Sequence, residues 1–154
     1  STYGTKYEND TQKIIKCLLS HGADVNLSNC MKWTPLMFSI KNNDLNSVIM
    51  LIKNGAQINC QNKIGYTPIM HAVMNNNDKI LSLLLYNFYS SCHVSFTERC
   101  YDKSIWDYVE KNSKCEMLLK MYANKCVKDI IKNENKYLCT DVLYIVCDYL
   151  GYKH

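Results

Sequence analysis

The stretch HGADVN at 21–26 returns as NGAQIN at 54–59, an offset of 33 residues. WTPLM at 33–37 returns as YTPIM at 66–70 with the same offset, and LNSVIMLI at 45–52 aligns without gaps with DKILSLLL at 78–85. TQKIIKCLL at 11–19 falls in the equivalent place one period earlier. A fixed period of this length constrains the fold more than any composition figure does. Each unit is one supersecondary element with two apolar flanks, and only stacking on neighbours buries them.

The local chemistry of one period can be read residue by residue. Thr34-Pro35 and Thr67-Pro68 are helix starts: the hydroxyl caps, and proline fits the first turn, where its missing N–H costs nothing. Asn43 and Asn76 stand at the turn to a second helix, and asparagine tolerates the left-handed conformation that such a turn needs. Val48, Leu51 and Ile52, repeated as Leu81, Leu84 and Leu85, form the apolar stripe of that second helix. Gly22 and Gly55 end it, and an extended, finger-like turn follows. Lys32 stands where the next copy has Gly65, a substitution expected to strain the turn by about 1 kcal/mol.

The period, with its TPL-x-x-A and GAD-x-N landmarks, resembles the ankyrin repeat. That resemblance implies an all-α solenoid of helix-turn-helix units, here with a C-terminal helical extension. The usual His after TPL is Met37 in one copy and Met70 in the next, so a hydrogen bond that ties adjacent turns is expected to be missing. Repeats are expected over 1–121: a partial copy at 1–27, copies at 28–60 and 61–96, and a degenerate copy at 97–121. Residues 1–10 fill a first-helix slot without its TPL start. The copy at 61–96 has lost its GAD landmark to NFYSSCHVSF at 87–96, and Lys103-Ser104-Ile105-Trp106-Asp107 restarts the pattern after a four-residue insertion within 88–102. Helical spacing then resumes through Trp106, Val109, Met117, Leu118 and Met121.

The composition fits one globular domain: 154 residues, 47% hydrophobic and 21% charged. A net charge of +4 is too mild for a dedicated nucleic-acid surface. The nine cysteines are odd in number and form no CxxC pair, which points to buried free thiols in a reducing compartment rather than a disulfide framework. No secretory signal or 18-residue apolar run occurs, so a cytoplasmic protein is expected, with the nucleus as the second location. His21, His71, His93 and His154 do not gather near a nucleophile. Cys92, His93 and Cys100 supply three metal ligands where structural zinc takes four. Glycine-rich phosphate loops, H-E-x-x-H and G-x-S-x-G are absent. The chain reads as a non-enzyme without cofactor or metal.

For a binding module of this shape, the site is the concave surface built by finger tips and first helices. The candidate contacts, all expected to be exposed, are Asn29, Lys32, Trp33, Asn62, Lys63 and Tyr66 on the fingers and Phe38, Lys41 and His71 on first helices. Trp33 and Tyr66 precede Thr-Pro, where an aromatic either packs on its finger or anchors a partner.

Residues 122–154 lie beyond the repeats. YANKCVKDIIKNENK at 122–136 is amphipathic, with Val127, Ile130 and Ile131 apolar and Lys120, Lys125, Lys128, Lys132 and Lys136 spread over the other faces, as on a solvated helix. LCTDVLYIVCDYL at 138–150 then carries an apolar row at Val142, Leu143, Ile145, Val146, Tyr149 and Leu150, with Thr140 or Asp141 suited to cap it. Its spacing resembles the opening of an F-box. Leu138, Asp141, Val142, Val146 and Leu150 fall near matching positions, while Cys139 replaces the usual proline and the later F-box helices have no room. Ankyrin repeats followed by a truncated F-box-like helix, in a composition biased to Asn, Lys, Ile and Tyr, resemble the ankyrin proteins of poxviruses. The resemblance implies a two-ended adaptor: repeats hold a host target, and the C-terminal helix, with Leu143 and Tyr149 on the same segment, recruits the Skp subunit of a cullin ubiquitin ligase, in the host-cell cytoplasm for a viral protein. The alternative is a plain ankyrin binder, similar to the IκB group that masks a Rel-type transcription factor, with the last helix as a structural cap. A third reading is a non-functional remnant of a longer gene. Neither membrane nor nucleic acid is expected as a partner.

Overall fold

The computed structural model describes the backbone at residues 3–91 and 105–132 and side-chain surroundings at 10–86 and 105–125. Among these residues six α-helices follow one another: α1 (Tyr3–Ser20), α2 (Pro35–Lys41), α3 (Leu45–Lys53), α4 (Pro68–Met74), α5 (Asp78–Ser91) and α6 (Lys114–Lys132), with a 3-10 turn at Ile105–Asp107 before the last. Among the described residues there is no strand. The architecture is an all-helical repeat solenoid. First helices α2 and α4 pack side by side, and each second helix packs on its own first helix and on the second helices beside it: α1 on α3, α3 on α5, and α5 on α6.

Thr-Pro starts α2 and α4 as the sequence predicts. Thr34 Oγ1 accepts from the Met37 amide at 3.3 Å and Thr67 Oγ1 from the Met70 amide at 3.2 Å, with proline at the head of each helix. Asn43 and Asn76 both adopt positive φ, 55° and 48°. Each closes its helix with a paired bond: Asn43 N to Ile40 O and Asp44 N to Ser39 O, repeated as Asn76 N to Val73 O and Asn77 N to Ala72 O. Gly22 and Gly55 close α1 and α3 with the same pairing. Every one of these stops is a Schellman turn, which satisfies carbonyls that a helix end would otherwise leave open.

The core is the stripe expected from the period. Val48, Leu51, Leu81 and Leu84 are fully buried, as are Leu36 and Ile40 on α2 and Ile69, Ala72 and Val73 on α4. Met37 and Met70, in the slot of the missing histidine, are buried too. Adjacent turns are tied by other groups: the Lys63 amide donates to Met31 O at 3.0 Å, and Asn26 donates to Gly55 O while accepting from the Gln57 amide.

Four expectations are corrected. Residues 1–10 are not a separate first-helix slot, because α1 runs unbroken from Tyr3 to Ser20; it has no Thr-Pro start, and position 10 is helical rather than left-handed. The boundary after Met121 falls inside α6, which runs through it to Lys132. The restart near Ser104 is a 3-10 turn, and the regular helix begins ten residues later behind a cap that the SKCE stretch at 113–116 could have announced. There Ser113 Oγ accepts from the Glu116 amide and the Glu116 carboxylate accepts from the Asn112 amide. Of the described cysteines, all free thiols, Cys115 is buried but Cys17 and Cys30 are exposed. α5 outruns α3 because Phe88 occupies the place of Gly55, so no glycine turns the chain out of the helix.

Lys32 holds the strained position, with φ of 57° where Gly65 has 92°. The left-handed region costs a side-chain-bearing residue about 1 kcal/mol more than glycine. Lys32→Gly is therefore expected to raise stability by about 1 kcal/mol, and Asn43→Ala to lower it by a similar amount. Urea unfolding midpoints measure both, and a destabilising Lys32→Gly contradicts the strain.

Candidate functional site

The two fingers share one construction. Asn29 Oδ1 accepts from the amides of Met31 and Trp33, and Asn62 Oδ1, 33 residues on, accepts from the amides of Ile64 and Tyr66. These carboxamides thus form the loop rather than reach outward, and Asn62 is only 4% exposed. Its expected place on an open surface is corrected: two side-chain and two backbone bonds pull it into the base of the finger. Lys32 and Lys63 do stand exposed on the fingers.

With the fingers fixed, the aromatic residues fall into register. Phe38 and His71 occupy the same position in α2 and α4, and Tyr108, 37 residues after His71, continues the column after the insertion. Trp33 and Tyr66 form a second column at the finger bases. The two columns interlock as a zigzag. Trp33 lies 5.1 Å from Phe38 within its own unit and 4.7 Å from His71 in the next, measured between ring centroids. Tyr66 lies 5.4 Å from His71 and 5.9 Å from Tyr108, the last contact edge-on. The Lys41 ammonium sits 5.1 Å from the centre of the Trp33 ring, a cation–π distance. Trp33 and Tyr66 therefore pack across to the following repeat while remaining half-exposed, and Phe38 is 44% exposed.

Of the first-helix candidates, Phe38 and Lys41 are open and His71 is not. The neighbouring rings leave His71 7% exposed, so its expected exposure is corrected as well. Burial, aided by the Lys41 charge, lowers its pKa to about 4, and the ring is neutral near pH 7. Its Nε2 and the Asn62 Nδ2 are both buried with no hydrogen-bond partner. Tyr108 is the ladder residue that sequence reasoning missed. The 37-residue offset of the degenerate copy at 97–121 pointed to it, but the weak pattern around Trp106 and Val109 drew attention to the apolar positions instead.

Among the described residues no group of three or more His, Cys, Asp or Glu side chains is arranged to hold a metal, and no helix is long and apolar enough to cross a membrane. Cys92, His93 and Cys100 lie outside the described residues, as does the F-box-like stretch with Leu138, Asp141, Val142, Leu143, Val146, Tyr149 and Leu150.

A family model described as ankyrin repeats, in three copies, matches residues 5–97. The chain belongs to the ankyrin-repeat family. Comparison with curated proteins gives no match. Ankyrin repeats are protein–protein interaction modules and generally do no catalysis themselves. In this ankyrin stack, the side built from fingers and first helices carries an interlocked row of aromatic rings, with Lys41 over the Trp33 ring.

The buried neutral His71 makes a pH prediction. An unfolded chain protonates histidine near pH 6.5, the folded one at about 4. Between those values the unfolded state binds the extra proton, so this group's contribution to stability is present above about 6.5 and is lost as pH falls toward 4. His71→Phe, which copies Phe38, is expected to lose about 2 kcal/mol less than the parent chain between pH 7 and 4.5. Urea unfolding at the two pH values measures the difference, and equal losses contradict a buried neutral ring.

Proposed function

We propose that the chain is a non-enzymatic interaction adaptor whose concave face holds a protein target and whose C-terminal segment recruits a Skp–cullin ubiquitin ligase. The observation that carries the first half is the zigzag Phe38–Trp33–His71–Tyr66–Tyr108. Half-exposed aromatic rings backed by a rigid scaffold supply large contact area at low entropic cost, which is why such residues dominate binding energy at interfaces. Lys32, Lys41 and Lys63 border the row and add orientation.

The second half is supported by the resemblance of residues 138–150 to the opening of an F-box and of the whole chain to poxvirus ankyrin proteins. Leu138, Asp141, Val142, Val146 and Leu150 supply the matching positions. A cytoplasmic setting, within a host cell for a viral protein, follows from the same resemblance. In the plain-binder alternative, the segment caps the stack and recruits nothing.

Co-purification from cells separates the halves. Trp33→Ala is expected to weaken target capture by about 30-fold while leaving the Skp–cullin subunits bound. Deletion of 138–154 is expected to do the reverse. Skp–cullin capture that survives the deletion overturns the recruiting role and leaves the plain binder. Target capture indifferent to Trp33→Ala, in a variant whose helical circular dichroism is intact, overturns the concave site.

A further inference from the structure

The row of rings is not symmetric in charge. Lys32 precedes Trp33, Lys41 lies over its ring, and Lys63 sits on the next finger. None of the three makes an ion pair among the described residues. The described carboxylates are committed elsewhere. Asp44 caps α3, Asp78 pairs with Lys114 at 3.7 Å, Glu110 accepts from Asn76, and Glu116 pairs with Lys120 at 2.6 Å. Asp10 pairs with Lys13 on α1, and Asp24 accepts from the Asn26 amide. Asp107 adjoins Tyr108 at the far end of the row, so the positive end is the one around Trp33 and Phe38.

A second observation is independent of charge. The buried amide Nδ2 of Asn62 is a hydrogen-bond donor without an acceptor, and the His71 ring, wedged between Trp33 and Tyr66, leaves Nε2 unpartnered. Native proteins leave few buried polar groups in this condition, and each one costs free energy until a partner arrives. For the Asn62 amide what is missing is an acceptor, meaning an oxygen-bearing group, while the neutral His71 ring gives or takes a bond at Nε2 according to its tautomer.

Resting on the concave face as the binding surface, we propose that its partner is an extended acidic protein segment carrying an aromatic or large aliphatic side chain. The apolar group seats against Phe38 and Trp33, carboxylates face Lys32, Lys41 and Lys63, and a carbonyl or carboxylate oxygen supplies the acceptor at Asn62. Exposed aromatic area gives affinity, and the lysines set direction and association rate. Single-stranded nucleic acid also combines negative charge with flat rings. It is disfavoured because its binding relies on a continuous cationic groove along many phosphates, which three lysines do not make.

The test uses the whole chain. Random 12-residue peptides displayed on phage are selected against it, and the enriched sequences are synthesised and titrated by fluorescence anisotropy. The expected peptides join Asp or Glu to an aromatic or Leu/Ile/Met residue. Their affinity is expected to fall at least tenfold with Phe38→Ala and at least tenfold with the pair Lys41→Glu and Lys63→Glu. It is also expected to weaken several-fold from 0.1 to 0.5 M NaCl and to be unchanged by Tyr86→Ala on α5. Circular dichroism confirms that each variant is folded. Peptides that need Phe38 but carry no acidic bias, or ignore the charge reversals, overturn the acidic partner and leave the concave site standing. Peptides indifferent to Phe38, or no selected peptides at all, overturn both. A 12-nucleotide oligothymidine that binds tighter than the selected peptides also overturns the proposal.

Discussion

A helical pair of this period cannot cover its own apolar stripe, and that single constraint orders the rest of the molecule. Leu18, Leu51 and Leu84 occupy one register position, yet Leu18 is 55% exposed while Leu51 and Leu84 are 2% and 0%. Residue type is identical at the three sites, so the difference comes from the neighbours: α3 and α5 have helices on both sides, whereas among the described residues α1 packs chiefly on α3. Burying a leucine stabilises by about 1.5–3 kcal/mol, so stacking supplies energy that no isolated unit has. The translation that superimposes the stripes also superimposes the fingers. The aromatic columns on the concave side are therefore a consequence of how the core is buried.

Much of the fold was legible because the signals lie in adjacent residues. Thr-Pro marks a helix start, and Asn43, Asn76 and Gly55 mark stops through conformations that only a few residue types accept. The 33-residue spacing then fixes which helices stack. What escaped reading depends on contacts between residues far apart in sequence. His71 looks like an exposed first-helix residue until Trp33 of the preceding unit and Tyr66 of its own cover it. Asn62 looks like a polar finger residue until its carboxamide is seen bonding to two amides of its own loop. Tyr108 was hidden by an insertion that shifted its offset from 33 to 37.

The ladder serves packing and recognition with the same atoms. Aromatic pairs at these separations contribute about 0.5–1.5 kcal/mol each beyond the area they bury. Trp33 bridges two units, so replacing it loosens the repeat interface along with the surface. Phe38 touches the ladder at Trp33 and is the more open residue, which makes it the cleaner probe of binding. His71 and Asn62 show the cost of the arrangement, since both bury polar atoms without partners in the unbound chain.

The central claim is that targets sit on the aromatic concave face. Amide hydrogen exchange of the chain, measured alone and with a captured target, tests it most directly. The account predicts that added protection is confined to 29–41 and 62–74, the fingers with α2 and α4, while α3 and the exposed side of α5 exchange as before. Protection that appears mainly on α3, α5 or α6 and spares the fingers would contradict it.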